Sequence, residues 1–268
     1  MDLGDLPALW AQVEALHDEV VNLPPPLLMR ALTLRAFDEA KPAGVRAYMA
    51  VHRHLGVAMD NHYALRHLLE HYAATLSAPW SLLRPTLEAA FRALWIIDPE
   101  LSGERRLRGF QSEVCDAAEG DKHLREFERV AELRSQVLDS LRRRAEGPDQ
   151  VCKNEARQLG VKWPVVTTRV NLVRDLPRLR PVIAEEGDLL GPWLISQWRL
   201  MSGFEHGLAW AMMRGSDSEP RLKIPGGQEM VLTINDEAFG NASKAAMFLL
   251  RHALWRLRYL HITGPALS

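Results

Sequence analysis

The sequence predicts an all-α fold, a multi-helix bundle carrying one small β-hairpin near residues 221–234. Three observations predict it. Apolar residues recur at three- and four-residue spacing through most of the chain. Breaks rich in proline and glycine divide them into helix-length segments. One window only, flanking Pro225-Gly226-Gly227, alternates as a strand does.

Taken in order, residues 6–22 place Leu9, Trp10, Val13, Leu16, Val20 and Val21 on one helical face, and Pro24-Pro25-Pro26 stops the helix. A second, short helix is expected over 27–40, ending near Lys41-Pro42. Residues 43–76 are helical in pattern, with a break expected near Gly56. Ser77-Ala78-Pro79 opens a strongly apolar helix from Trp80 to Ile97, terminated at Asp98-Pro99. From Ser102 to Glu146 a long charged helix is expected, interrupted near Glu119-Gly120-Asp121. Its closing Arg142-Arg143-Arg144 suits the negative end of a helix dipole. After Gly147-Pro148-Asp149 a short helix runs to about Gly160. Residues 161–180 do not declare themselves, and Asp188 to Arg214 read as one long apolar helix. Asn235-Asp236 caps a last helix running to about His261.

The 268-residue chain is long enough to bury a full core, and 47% apolar with 25% charged residues is the balance of a folded protein. A single domain over 1–268 is expected, because the apolar helices on both sides of the break near 147–150 each need a partner. Residues 1–76 are the candidate N-terminal subdomain. The net charge of −1 supplies no global attraction for nucleic acid or an anionic membrane. The acidic start MDLGDLPALW does not read as a secretory signal, and no apolar run is long enough to span a bilayer. Two cysteines, Cys115 and Cys152, make no disulfide framework, so a cytoplasmic, membrane-free setting is expected.

His67-Leu68-Leu69-Glu70-His71 matches the H-x-x-E-H string of inverted zinc peptidases: two imidazoles four residues apart with a carboxylate beside them. The peptidase also needs a large sheet and a distant carboxylate, neither of which is legible, so a solvated helix face is favoured, and no metal or cofactor is expected. Glu14-x-x-His17 has the spacing of di-iron bundles but stands alone. Phosphate-cradling loops and nucleophile elbows are absent from the sequence.

Two helices carry a more informative constellation. Arg84, Glu88 and Arg92 recur at four-residue spacing in the Trp80–Ile97 segment, Arg84 and Glu88 being placed to pair. Arg199, Ser202 and His206 form a narrow polar stripe among Trp193, Trp198, Met201, Phe204 and Trp210. Gly203 and Gly207 flank it and permit close approach. The stripes either face water or turn into a common cleft between the two helices.

The run Trp80-Ser81-Leu82-Leu83-Arg84-Pro85-Thr86-Leu87-Glu88, followed by Asp98-Pro99 and Arg105, Arg106 and Arg108, resembles a set of bacterial all-helical proteins. Ser202-Gly203-Phe204-Glu205-His206-Gly207 is similar to their later signature. That set in turn resembles the HEPN superfamily (higher eukaryotes and prokaryotes nucleotide-binding), helical bundles that are often dimeric and in many cases cleave RNA without metal in toxin or defence systems. Arg199 and His206 fit its arginine–histidine motif at the longest spacing. The resemblance implies His206 and Arg199 as catalytic residues, acid–base catalyst and phosphate ligand. Arg84, Glu88 and Ser202 would line the substrate site, with RNA or a nucleotide as ligand and a homo-oligomer as the assembly. The alternative is a non-enzymatic helical interaction or regulatory protein; a metal hydrolase built on His67, Glu70 and His71 ranks third.

Overall fold

The computed structural model describes residues 4–24, 33–72, 75–128, 150–184 and 188–264. Residues 27–32 of the helix expected over 27–40, the stretch from 129 to 146 with its closing Arg142-Arg143-Arg144, and the break at 147–149 lie outside the described residues. The helices are α1 (Leu6–Val21), α2 (Leu34–Glu39), α3 (Gly44–His71), α4 (Ala78–Ile97), α5 (Ser102–Glu128), α6 (150–158), α7 (Trp163–Val166), α8 (Leu172–Asp175), α9 (Arg180–Ile183), α10 (Leu190–Glu205), α11 (Ala209–Arg214) and α12 (Asp236–Ile262). Between α11 and α12 an antiparallel pair, β1 (Ser216–Ile224) and β2 (Gly227–Ile234), turns at Pro225-Gly226. The architecture is all-α with one small hairpin.

Four expectations change. α3 runs without interruption through Gly56, and α5 through Gly120. Each glycine costs the helix about 1 kcal/mol relative to alanine, less than the burial of Leu55, Ala58, Met59 and Leu65 returns along α3. The long helix expected from 188 to 214 is two. α10 ends at His206 in a Schellman motif: Gly207 takes φ +65°, its N–H donates to Phe204 O at 3.1 Å, and Leu208 N–H donates to Gly203 O at 2.8 Å. Val21, expected on the apolar face of α1, is 65% exposed.

The chain groups into two compact units. One comprises Met1–Pro24, His52–Trp95 and Leu172–Tyr259; the other, Pro25–Val51, Ile96–Asn171 and Leu260–Ser268. Their segments interleave, so neither coincides with residues 1–76. In the first unit Trp80 of α4 stacks on Phe204 of α10 (centroids 4.3 Å, planes 3° apart) and meets Phe239 of α12 edge-on at 5.4 Å. Trp10, Leu83, Leu87 and Phe91 are buried in the same unit. In the second, Ala43, Phe110, Val114, Cys152, Ala156 and Val166 form an apolar cluster.

The second unit also buries a charge. Arg105 of α5 is 1% exposed and Asp38 of α2 is fully buried. The guanidinium donates from Nε to Asp38 Oδ2 (2.7 Å) and from Nη2 to Oδ1 (2.9 Å), a bidentate pair. Nη1 donates to the carbonyls of Pro99 (3.0 Å) and Glu100 (2.6 Å), tying down the α4–α5 turn. Tyr48 O–H donates to the same carboxylate at 2.7 Å. Burial, then the Asp38 charge, pushes the Tyr48 hydroxyl pKa well above its ordinary value, so it remains a donor.

Candidate functional site

The α4–α10 constellation assembles within the first unit, but with a different membership from the one the sequence suggests. Arg84 Nε donates to Glu88 Oε1 at 2.9 Å along α4. Trp198 Nε1 of α10 donates to the same oxygen at 2.8 Å, and Arg84 Nη1 pairs with Glu205 Oε2. One guanidinium and one indole N–H thus hold two carboxylates and lock α10 against α4. All three charged side chains are partly exposed, 18% for Arg84, 31% for Glu88 and 40% for Glu205.

Arg199, Ser202 and His206 fall on the adjacent stripe of α10. Arg199 and His206 are exposed and Ser202 is half-buried. Among the described residues, neither Arg199 nor His206 makes a side-chain hydrogen bond or ion pair. His206 is the C-cap of α10, so its backbone N–H donates to Ser202 O at 3.1 Å while its imidazole faces outward. The structure therefore brings Arg84 and Glu88 together and leaves Arg199 and His206 apart from that pair's hydrogen bonds. Trp198 and Glu205, seven residues apart on one face, are the members that sequence reasoning missed. Gly203 is buried against Ala211 and the Trp210 ring of α11, the close approach its lack of a side chain permits.

The H-x-x-E-H string lies near the C-terminal end of α3. His67 and His71 face one another with ring centroids 4.4 Å apart, and Glu70 accepts from Arg66 Nη2 at 2.8 Å and Nε at 3.1 Å. That bond holds the Glu70 carboxyl below the usual carboxylate range. The carboxylate that would serve as base is committed to a guanidinium. Among the described residues no group of three or more His, Cys, Asp and Glu could hold a metal ion.

Glu14, isolated in the sequence, proves to be a bridge. It accepts from Arg66 and lies 2.8 Å from Nε2 of His62, whose side chain is fully buried. Burial lowers the His62 pKa despite the Glu14 carboxylate.

A second concavity lies on the far side of α10. Ser196, Gln197 and Leu200 of α10, Trp210 and Arg214 of α11, and Asn235, Glu237, Ala238 and Asn241 at the start of α12 line a cleft of about 330 Å³. Trp210 is 47% exposed there, and the Gln197 side-chain oxygen is buried without a hydrogen-bond partner.

No family model, no curated protein and no solved structure matches the chain. The functional reading therefore rests on this chain's own geometry. Among the described residues no helix is long and apolar enough to cross a membrane.

Proposed function

We propose that the chain is a helical interaction module that self-associates through its β-hairpin. The observation that carries the reading is the hairpin's exposure. Leu222 (57%), Ile224 (48%) and Val231 (44%) are exposed. The register sets all three on one face, because Leu222 opposes Glu229, Ile224 opposes Gly227, and Glu229 and Val231 are two residues apart. A lone two-stranded hairpin is at best marginally stable in water, so an oily face on one calls for a cover.

Among the described residues the sheet has two strands, and its outer edges are templates that argue for a second copy as that cover. Asp217 and Glu219 sit at the base of β1, and Arg221 and Lys223 at its tip. Arg221 is engaged by Glu229 at 3.1 Å, and Lys223, opposite Gln228, lies on the other face from Leu222 and Ile224. Two hairpins lying antiparallel about a two-fold axis cover each other's apolar faces with the same residues. Sedimentation from about 1 to about 100 µM, the range in which modest interfaces dissociate, tests the reading. A dimer is expected, and Leu222→Lys with Ile224→Lys is expected to yield a folded monomer. A wild-type monomer throughout, or an unaltered dimer in the double variant, overturns it.

The RNA-cleaving reading keeps one observation in its favour: Arg199 and His206 are both exposed and unengaged on a single helix. Purified protein that degrades RNA, and loses that activity with His206→Ala at an unchanged melting temperature, would establish it.

A further inference from the structure

We infer that the cleft between α10, α11 and the start of α12 binds a small zwitterion of the amino-acid class. The cleft's volume of about 330 Å³ lies at the small end of ligand sites, which run from about 300 to 1,000 Å³. Arg214 and Glu237 line it with opposite charges and are both exposed. Yet they do not pair with each other or with any other described side chain. Elsewhere in the same unit opposite charges close on one another, as Arg84 does on Glu88 and Glu205, and Arg66 on Glu14 and Glu70. A guanidinium and a carboxylate that face one concavity without meeting are complementary to a ligand bearing both a carboxylate and an ammonium. Arginine takes the carboxylate bidentately. Glu237 takes the ammonium, and the half-exposed Trp210 ring offers its face to the same cation or to an apolar stem.

The Asn241 side chain adds an amide to the lining. A free amino acid meets both charge demands. A nucleoside monophosphate would bring its phosphate into a site that also holds Glu237, and a neutral heterocycle would satisfy neither charge.

Calorimetric titration of the full chain with L-glutamine, L-asparagine, L-arginine and L-tryptophan separately tests the site. At least one is expected to bind with Kd below about 1 mM. Its N-acetyl amide, which carries neither main-chain charge, is expected to bind at least about ten-fold more weakly, the size of one lost charged contact. Arg214→Gln and Glu237→Gln are each expected to weaken binding by about ten-fold while leaving the melting temperature unchanged, because both side chains are exposed. The inference is overturned if none of the four binds or if the blocked derivative binds as well as the free amino acid. Binding unaffected by both substitutions, or AMP binding where the amino acids do not, overturns it equally.

Discussion

Arg105 is the residue on which the buried carboxylate of the second unit depends. It satisfies both oxygens of Asp38 and two backbone carbonyls from full burial. Breaking one side of such a pair strands a buried charge. Asp38→Ala is therefore expected to destabilise the chain by about 3–5 kcal/mol, read as a lower denaturant midpoint. Replacing both partners, Asp38→Leu with Arg105→Met, removes the stranded charge. The double variant should cost less than the sum of its singles by at least about 1 kcal/mol; strict additivity would show that the pair is not coupled. Legibility at this scale is partial. The Arg84–Glu88 bond follows from i,i+4 spacing alone. Its partners across α10 do not, because a helix offers neighbouring stripes of similar composition: Arg199, Ser202 and His206 form one, and Trp198 and Glu205 the next. Which stripe faces α4 is decided by the burial of Leu194, Met201 and Phe204 in three dimensions. Nor does spacing reveal that Arg105, one of three closely spaced arginines, is buried.

At the scale of elements, the long helices were legible and their ends were legible where proline or an N-cap marks them, whereas the one-turn helices α7, α8 and α9 are too short to show a period. Asn235 accepts from Ala238 N–H at 2.8 Å at the start of α12, as its position before an apolar-periodic run predicts. The division of 188–214 was missed because apolar periodicity continues on both sides of Gly207 and masks the C-cap glycine. That break places α11 across Gly203. A Cβ at position 203 would collide with the Cβ of Ala211 and press on the Trp210 ring. Gly203→Ala is expected to displace α11 and cost about 1–3 kcal/mol through overpacking. Gly207→Ala is expected to cost about 1 kcal/mol for the left-handed φ alone. Thermal unfolding of the two variants separates the effects, since a collision should also alter the environment of Trp210 in near-ultraviolet circular dichroism, whereas a turn penalty should not. Equal near-ultraviolet spectra would refute the close packing of α11 on Gly203.

At the scale of the whole molecule, acid stability hinges on histidines that the fold keeps neutral. Burial, followed by the charges of Arg92 and Arg53, lowers the His54 pKa to about 4. His62 is lowered as well, by burial, with Arg66 adding to it and the Glu14 bond opposing it. The unfolded chain holds these rings near pKa 6.5. Between those values the unfolded state binds more protons than the folded one, so stability is fully present above about pH 6.5 and is lost as pH falls toward 4. For His54 a shift of this size corresponds to at most about 3 kcal/mol, and less to the extent that water reaches the ring. His54→Gln removes the titrating group and keeps a side chain of similar reach. Urea unfolding at pH 7 and pH 5 should show the wild type losing stability on acidification and the variant losing less, with His62 left to supply part of the remainder. If the two lose stability equally, His54 is not held neutral by burial beside Arg92 and Arg53, and the acid sensitivity belongs to His62 and its contact with Glu14.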